Sequence, residues 1–350
     1  MRCACTIADG ADVPQVSVII PAFDAEATID ATLASATAQS VRDIEIVVVA
    51  DGCTDATVAR VERWTRTDPR VRLIEQANAG VAVARNTGIA AATGAFVAPL
   101  DADDLWHPRK LEWQLERFGD PGVGLVYGWY RPIDEQARVC ATAATPAIEG
   151  RVLHRHLHWN FVGNGSTPLI RRAALDGIAY DPALRAARAG GCEDYLLQLQ
   201  VARRWRFGCV PAYLTGYRQR AGAMSGDRGT MMRSHVAALR TIRPSLPPSA
   251  RRVCDAGIAR FALLSASAAL GRRQVAPAAA ALAQALRHDV AATGAALTEQ
   301  VATIRRARAS RGAAAATPGA RFDDLQAGDP PSTWTPSATL AALARLDAED

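Results

Sequence analysis

Three aspartates near residue 100 form the group in the sequence that is best suited to chemistry. An apolar run at residues 95–100 leads directly into Asp101, Asp103 and Asp104. On an extended backbone, side chains two residues apart point the same way, so Asp101 and Asp103 would bind a hard divalent cation together. A Mg²⁺ or Mn²⁺ ion held in this way keeps coordination positions for diphosphate oxygens. The alternative is a solvated turn that caps the helix predicted after Pro108.

Two further acidic positions stand where predicted elements end or begin. Asp51-Gly52 ends a second apolar run. This aspartate could reach a base or a ribose, although Asp-Gly is also a common turn. Glu193 and Asp194 open a predicted helix, where a carboxylate is normally stabilised by the helix dipole. If such a carboxylate is ionised and faces a crevice, it can accept the proton of an incoming hydroxyl.

The elements around these residues predict a Rossmann-like α/β domain. Four apolar, β-branched runs indicate buried strands, at residues 16–20, 44–49, 71–74 and 95–100. Helical segments of about 10 to 15 residues alternate with them, which implies a parallel sheet with ligands beyond the carboxyl ends of its strands. Residues 21–24, Asp51 and the aspartates near residue 101 should therefore meet in one crevice.

Composition narrows the classes of function. The 350 residues carry 40 basic and 35 acidic side chains, a formal charge of +5, and Lys110 is the only lysine. These charges are spread, with no basic stripe interleaved with aromatics, so nucleic-acid binding is not expected. The seven cysteines include no C-x-x-C pair, which favours reduced thiols in a cytoplasmic protein. No signal sequence or run of about 18 apolar residues is evident, which predicts at most peripheral association with the inner membrane face.

A change of composition near residue 245 predicts two regions. Residues 1–245 carry the alternating strands and helices, whereas residues 246–350 are alanine-rich with helical spacing. Glycines, prolines and small residues near 308–336 predict a loose linker inside the second region. Alanine-rich helices bury little area by themselves. The second region is therefore expected to dock on a partner, on a second copy or on a membrane surface.

Four motifs occur in a characteristic order, at residues 16–24, 51–55, 78–88 and 101–104, followed by Glu193-Asp194 and Tyr217-Arg218. This pattern, which spans residues 16–226, resembles the family 2 glycosyltransferases, whose GT-A fold is a nucleotide-binding α/β sandwich. The resemblance implies an inverting enzyme that moves a sugar from a nucleotide-diphosphate donor to an acceptor hydroxyl. The acceptor would be a glycan, a lipid-linked carrier or a protein, as in cell-surface polysaccharide biosynthesis.

The resemblance also implies roles for single residues on the donor side. Pro21, Phe23 and Asp51 would surround the nucleotide base. Arg85 would approach the base or a phosphate, and Asp101 would contact ribose or sugar. At the reacting centre, the resemblance implies Asp103 as the ligand of a Mn²⁺ or Mg²⁺ cofactor and Asp194 as the catalytic base.

Two positions depart from the family pattern. Ala50 stands where the family usually has an aspartate, which leaves base selectivity open. Arg220 follows Tyr217-Arg218 near the place where the family often has a histidine that helps bind metal or diphosphate. A guanidinium cannot ligate a cation, but it presents a fork of donors to phosphate oxygens. We therefore expect Arg220 to bind the diphosphate and the metal to have fewer protein ligands.

Two other functions remain open at the level of sequence. A non-catalytic nucleotide-sugar or carbohydrate-binding module could keep the same fold, although the joint presence of Asp103 and Asp194 favours an enzyme. A nucleotidyltransferase also places metal-binding carboxylates after a strand. It would be expected to have a glycine-rich, basic loop near its first strand, which residues 21–26 do not form.

Two groups of side chains outside these motifs were open to a functional interpretation. His154, His156 and His158 alternate, as zinc ligands on a strand would. No further cysteine or histidine completes a set nearby, so a surface or acceptor-side loop is favoured. Trp106 is predicted to belong to the core, and Trp159 could be core or a platform on which a sugar stacks.

Overall fold

An eight-stranded mixed sheet forms the centre of the computed structural model, which describes residues 14–186, 190–220, 227–298, 319–327 and 334–349. The sheet has the strand order β3-β2-β1-β4-β7-β6-β8-β5. The strands are β1 (Val16–Ala22), β2 (Ile44–Asp51), β3 (Val71–Gln76), β4 (Phe96–Pro99), β5 (Leu105–Trp106), β6 (Val123–Ile133), β7 (Leu169–Arg171) and β8 (Arg206–Arg218).

Helices cover the sheet and make up most of the C-terminal region. They are α1 (Ile29–Thr37), α2 (Thr57–Thr67), α3 (Val81–Ala91), α4 (Lys110–Leu115), α5 (Leu153–His158), α6 (Ala183–Ala186), α7 (Glu193–Ala202), α8 (Arg228–Ile242), α9 (Pro248–Gly271), α10 (Val275–His288) and the C-terminal helix (Ala338–Glu349). Residues 290–298 are also helical. Short 3₁₀ turns lie at Glu116–Phe118, Arg172–Leu175, Arg243–Ser245 and Phe322–Asp324.

The four predicted strands form the parallel half of the sheet. β1 lies between β2 and β4, with Val16 opposite Ile44 on one side and opposite Phe96 on the other. Every residue of β1 and β2 is buried, because helices cover both faces of a parallel sheet and apolar, β-branched runs fill the space beneath them. The prediction of an α/β domain from these runs is confirmed.

The other half of the sheet, for which the alternation of strands and helices made no prediction, is mixed. β7 runs antiparallel to both β4 and β6, while β6 and β8 are parallel. β8 was not predicted, because glycines and Pro211 interrupt its apolar pattern. The β6–β8 register shifts between Gly128 and Trp129, opposite the segment that contains Pro211. A proline is tolerated at such an irregularity because it lacks the N–H that a regular ladder requires.

Helix α3 packs unusually close to the sheet, and this sets the position of its side chains. A Cβ atom added at Gly88 would lie 2.4 Å from Ile19 Cγ2 on β1, so only glycine allows this approach. The same helix carries Arg85, which is directed towards the carboxyl ends of β1 and β4 by the contact.

The C-terminal helices share a core with the sheet domain. Ile258 and Phe261 of α9 pack in one apolar cluster with Leu239 of α8 and with Tyr195 and Leu199 of α7. By length and composition α9 is apolar enough to cross a membrane, although charged residues interrupt its apolar sequence. In the fold, 56% of its most apolar stretch is buried. The boundary near residue 245 stays a prediction.

Much of the predicted linker at 308–336 lies outside the described residues. The described part packs on the sheet domain. Val139 N donates to Ala320 O (2.9 Å), Phe322 is buried, and Tyr213 N donates to Ala327 O (2.6 Å). The ring of Trp334 lies 6.1 Å from that of Trp159, measured between centroids. Residues 319–327 and Trp334 are therefore part of the folded body.

The alternating histidines lie on helix α5, and His154 and His156 are buried, so both the histidine-lined strand and the favoured surface or acceptor-side loop are wrong. On a helix, residues two apart point in different directions. His154 Nδ1 lies 3.1 Å from an oxygen of Asp347 on the C-terminal helix, whereas His156 Nε2 lies 3.2 Å from Gln198 Oε1 on α7. These side chains connect different parts of the core. His156, moreover, is completely buried.

Candidate active site

The three aspartates after β4 lie in a tight turn. The N–H of Asp104 donates to the carbonyl of Asp101 at 3.1 Å, which closes a four-residue turn. The extended-backbone argument that placed Asp101 and Asp103 on one face is therefore wrong. The turn sends each carboxylate to a different partner: Asp101 to Arg85, Asp103 to Arg220, and Asp104 into the interior.

Asp104 connects the turn to two other parts of the site. Its carboxylate accepts hydrogen bonds from Ser166 Oγ (2.6 Å), from the N–H of Arg218 (2.9 Å) and from Asn164 Nδ2 (3.2 Å). Burial, together with the charge of Asp103, raises the pKa of Asp104 well above its ordinary value. Asp104 therefore positions the loop at residues 164–167 and the end of β8.

Asp101 and Arg85 form an ion pair at the opening of the site. Arg85 Nη2 donates to Asp101 Oδ1 at 2.5 Å, and the arginine is almost completely buried. The ring of Tyr180 lies 5.1 Å from the guanidinium carbon and covers it. Tyr180 is held by a two-way clamp, in which Asn86 Nδ2 donates to the Tyr180 carbonyl and the Tyr180 N–H donates to Asn86 Oδ1. A desolvated guanidinium held in this way is a strong anchor for anions.

Gly165 lies where Arg85, Asp101 and Asp194 meet. A Cβ atom added there would be 3.1 Å from Arg85 Nη2, 3.5 Å from Asp101 Oδ2 and 3.6 Å from Asp194 Oδ2. Arg85, Asp101 and Asp194 span 109 positions of the sequence and thus surround a single point that has no side chain of its own. The missing Cβ leaves room for a substrate atom between a cation and two carboxylates.

A network of side chains beneath the loop fixes Gly165 in place. Trp106 Nε1 donates to Ser166 O (2.9 Å), and Gln114 Nε2 donates to Thr167 O (2.8 Å). Gln114 is held in turn by Nζ of the buried Lys110, at 2.7 Å. Burial lowers the pKa of Lys110 well below its ordinary value. The prediction that Trp106 belongs to the core is confirmed, and its N–H supports the site from below.

Asp194 is half-buried in the first turn of α7. Burial raises the pKa of Asp194 to about 6, the charge of Arg85 opposes this rise, and Glu193 adds to it. The carboxylate is therefore largely ionised at neutral pH and has a higher proton affinity than an ordinary aspartate. Glu193, the alternative base, is buried, and its Oε2 accepts the N–H of Gly191 at 2.9 Å.

Asp103 lies beside the two arginines that end β8. Arg220 Nε is 3.3 Å from Asp103 Oδ2, and Arg218 Nε donates to the carbonyl of Asp103 at 2.7 Å. Burial, and next the charge of Asp101, raise the pKa of Asp103. A divalent cation would relieve that repulsion, and carboxylate oxygens suit Mg²⁺ and Mn²⁺. Asp103 therefore fits a metal that takes most of its other ligands from the substrate.

A second group of ligand atoms lies at the ends of β1 and β2. Among the described residues, one group of three possible metal ligands has its ligand atoms within 4.8 Å of one another. It consists of Asp24, Cys53 and Asp55. Their carboxylates already accept backbone N–H groups, from Thr54 to Asp24 (2.7 Å) and from Glu26 to Asp55 (3.0 Å). These hydrogen bonds join the loop after β1 to the loop after β2, so the cluster has a structural role in connecting them.

The residues expected around the nucleotide base lie at the ends of neighbouring strands. Pro21 is buried opposite Val49 in the β1–β2 register, and the ring of Phe23 is 53% exposed. Asp51 is buried, and its carboxylate accepts hydrogen bonds from Ala79 N (2.8 Å) and Gly80 N (2.7 Å). In this structure Asp51 therefore shapes the loop at residues 76–80, and Phe23 is the side chain that is free to stack.

Several residues of the site carry no strong signal in the sequence. Asn164, Gly165 and Ser166 lie in a run of small residues that matches none of the motifs, and Tyr180 also lies outside every motif. The density of small and polar residues at 163–167 is the one local hint, because such loops allow backbone to approach a ligand closely.

The sequence of this chain was compared with those of known proteins. Residues 17–177, which include Arg85, Asp101 and Gly165, match the model of Glycosyl transferase family 2. This part of the chain is therefore similar to the family 2 glycosyltransferases. ExoO, a succinoglycan biosynthesis protein of Rhizobium meliloti (strain 1021), is 34% identical over 200 residues, which are 53% of this chain and 55% of ExoO. The chain spans about half the length, or less, of the curated relatives it matches.

Solved structures show that the chain has the GT-A fold. The mannosyltransferase PcManGT of Pyrobaculum calidifontis, in complex with GDP-Man and Mn²⁺, superposes with a TM-score of 0.56 at 25% identity and covers 81% of this chain and 80% of its own. S. aureus TarS residues 1–349, in complex with UDP-GlcNAc, gives a TM-score of 0.53 at 15% identity over 77% of this chain and 90% of its own. The GT-A prediction is confirmed.

Proposed function

We propose that this chain is an inverting glycosyltransferase that moves a sugar from a nucleotide-diphosphate donor to an acceptor hydroxyl. The observation that carries the proposal is the convergence of Asp101, Arg85 and Asp194 on Gly165. A cation and two carboxylates with different surroundings can bind a polar substrate and accept a proton at one place. The match to the glycosyltransferase family supports the same reaction.

Asp194 acts as the general base in this proposal. An acceptor hydroxyl donates its proton to the ionised carboxylate while its oxygen forms a bond to the anomeric carbon. The bond from that carbon to the diphosphate oxygen breaks on the opposite face, and its electron pair stays with the diphosphate. Attack from the face opposite the leaving group inverts the configuration. A pKa near 6 suits this step, because the base is ionised at neutral pH and still binds a proton well.

The donor binds across the carboxyl ends of β1, β2 and β4. Phe23 offers an exposed ring to the base, and the loop held by Asp51 lines the same crevice. Asp101 faces the sugar or ribose, and Arg85 orients Asp101 and adds positive charge. PcManGT was solved with GDP-Man and TarS with UDP-GlcNAc. The proposal for this chain is therefore a nucleoside diphosphate sugar, without a choice of base.

Asp103 is the proposed protein ligand of a Mn²⁺ or Mg²⁺ cofactor. When bound, such an ion neutralises the charge that develops on the leaving diphosphate. Arg220 is directed to the same position and is proposed to bind diphosphate oxygens, which would divide the charge between a cation and a guanidinium. PcManGT was solved with Mn²⁺, which supports a divalent cation as the cofactor.

Replacing Asp103 tests the metal assignment. In Asp103→Ala, we expect the Mn²⁺-dependent gain in affinity for a nucleoside diphosphate to be lost, because the cation loses its charged protein oxygen. Titration calorimetry with UDP and GDP, with and without Mn²⁺, measures this gain. Asp24→Ala serves as the matched control in the second carboxylate cluster. If Asp24→Ala loses the gain and Asp103→Ala keeps it, the metal lies at the ends of β1 and β2 instead.

The acceptor is proposed to be a hydroxyl of a glycan, a lipid-linked carrier or a protein, with a role in cell-surface polysaccharide biosynthesis. ExoO, which shares 200 aligned residues, is named for succinoglycan biosynthesis. The proposed location is the cytoplasm, including the inner face of the membrane.

Replacing Asp194 tests the reaction itself. We expect Asp194→Asn to keep donor affinity and to lose about 10²-fold or more in turnover, because the amide keeps the shape but cannot take a proton. Glu193→Gln is the matched control one residue away and should retain transfer. Near-normal turnover in Asp194→Asn would exclude Asp194 as base. A wild-type protein that binds nucleotide sugars but transfers none across an acceptor panel would support the non-catalytic binding module.

A further inference from the structure

Exposed apolar side chains are concentrated on one part of the C-terminal region. Among the described residues, seven large apolar side chains are exposed, and one of them is Phe23 at the donor crevice. The other six lie within 28 consecutive residues: Leu270, Val275, Leu282, Leu286, Val290 and Leu297. Isolated exposed leucines are ordinary, but a cluster of this kind marks an interaction surface.

Helix α10 organises this cluster into a stripe. Val275, Leu282 and Leu286 are seven and four residues apart, so they share one face of the helix. The neighbouring face carries Ala278 and Ala285, which are buried against the rest of the fold. α10 therefore uses its small residues for internal packing and leaves its large apolar residues in solvent.

Unpaired positive charges flank the stripe. Among the described residues, Arg273 before α10 and Arg287 at its end have no ion-pair partner, whereas Arg272 pairs with Asp227. A cleft of about 250 Å³ beside α10 is lined by Arg287, Arg240 and His288. The sequence that follows, residues 299–318, adds four arginines and one glutamate.

From this combination, we propose that α10 and the helix at residues 290–298 bind the surface of a bilayer that contains anionic phospholipids. The leucines and valines would enter the boundary between headgroups and acyl chains, and the arginines would contact lipid phosphates. Arginine suits this place because its stem lies along apolar surface while its head reaches phosphate. The cleft beside Arg287, with a volume of about 250 Å³, has room for a phosphate group.

Charge argues for a membrane over a second copy of the chain. In a two-fold dimer, the same patch meets itself. Arg273 and Arg287 would then meet the same positive charges of the second copy, with Asp289 as the acidic residue of the stretch 270–298, whereas anionic headgroups would neutralise both arginines. The proposal concerns docking alone and does not depend on the reaction proposed above, since vesicle binding is measured without donor or acceptor.

Vesicle flotation of the full-length protein tests the proposal. We expect binding to phosphatidylcholine vesicles that contain about 30 mol% phosphatidylglycerol to be roughly tenfold or more stronger than binding to pure phosphatidylcholine. The double variant Leu282→Gln/Leu286→Gln should lose roughly tenfold or more of this affinity. Arg287→Gln should lose a few-fold, by about one surface charge. Ala276→Gln, which adds a glutamine at an exposed position of α10 away from the stripe, is the matched control and should bind like wild type.

Three results would overturn the proposal. The first is equal binding of wild type and the double variant, and the second is a wild type that binds neither kind of vesicle. The third comes from sedimentation without lipid: a wild-type dimer that the double variant converts to monomer, with no vesicle binding by wild type, would assign the stripe to self-association. Circular dichroism of each variant confirms that these exposed positions leave the fold intact.

Discussion

At the scale of single residues, opposing effects set the pKa of Asp194. Desolvation raises its proton affinity, and the guanidinium of Arg85 limits that rise. Arg85 itself is held by Asp101 and covered by Tyr180. Without desolvation the carboxylate would bind protons more weakly, and without Arg85 its pKa would be higher and less of it would be ionised at neutral pH. The neighbours of Asp194 therefore decide whether it can act.

The pH dependence of transfer follows from this balance. A base works only when ionised, so kcat/KM should be full above the pKa of Asp194, near 6, and should fall about tenfold per pH unit below it. An ordinary aspartate would keep activity down to about pH 4. Glu193→Gln removes a charge that raises this pKa, so its acid limb should shift to lower pH. An acid limb near 4 in wild type would contradict the assignment.

Arg220 gives a second prediction at this scale. Its guanidinium lies beside Asp103 and is one-third exposed, so it can turn to diphosphate oxygens. Arg220→Ala should weaken binding of a nucleoside diphosphate about tenfold in the presence of a chelator, because a charge-assisted hydrogen bond is lost. Arg66→Ala, at an exposed position near the end of α2, controls for the loss of one positive charge. Equal affinities of wild type and Arg220→Ala in chelator would show that Arg220 does not touch the phosphates.

At the scale of elements, the loop at residues 164–167 links the two halves of the site. Asp104 holds it from one side, and Trp106 with Gln114 holds it from below. Short strands β4 and β7 pair only two residues, so these side-chain bonds define where the loop runs. These bonds place Gly165 between α3, the turn after β4 and α7.

Adding one methyl group at Gly165 tests this arrangement. We expect Gly165→Ala to lower kcat/KM about ten- to one-hundredfold, because its Cβ enters the space between Arg85, Asp101 and Asp194. The change in melting temperature should be small, since the new contacts are with side-chain ends that can shift. Gly119→Ala is the control, with nothing within 4 Å of its added Cβ. Full activity in Gly165→Ala would place the reacting atoms elsewhere.

At the scale of the whole molecule, a buried carboxylate fastens the C-terminal helix to the sheet domain. Asp347 accepts hydrogen bonds from the N–H of His154 (2.7 Å) and from Arg155 Nε (2.5 Å), which lie more than 190 residues earlier in the chain. Asp347 is 2% exposed. Its charge is therefore satisfied entirely by partners on α5.

Loss of this carboxylate should destabilise the fold. Asp347→Ala leaves Arg155 and the His154 N–H without their acceptor, so the free energy of unfolding should fall by about 3 kcal/mol. Urea titration measures this change, and limited proteolysis should show faster cleavage before residue 338. Asp323→Ala is the control, because it removes an exposed carboxylate from the segment at residues 319–327. It should change the free energy of unfolding by less than about 0.5 kcal/mol. Unchanged stability in Asp347→Ala would mean that the C-terminal helix is not fastened by this bond.

The sequence alone determined the parallel half of the sheet and the order of its motifs. β1 to β4 are predicted by continuous apolar runs, which are typical of strands buried on both faces. A stretch of about six residues is enough to show this pattern. The helix start at Glu193 is similarly local. Asp51 and the aspartates near residue 101 stand out because they end apolar runs, and their approach to one edge of the sheet follows from parallel pairing alone.

Only the tertiary structure decided how these residues meet. The backbone at Asp101 to Asp104 is a turn because Asp104 finds buried partners in Ser166 and Arg218, which no local pattern reveals. β7 and β8 run as they do because of pairing across the sheet, and the histidines near 156 are helical because they pack against α7 and the C-terminal helix. The pKa of Asp194 and the open space at Gly165 arise from groups far apart in sequence. Distance, burial and charge at a site are properties of the packed chain, whereas hydrophobic period is a property of the segment.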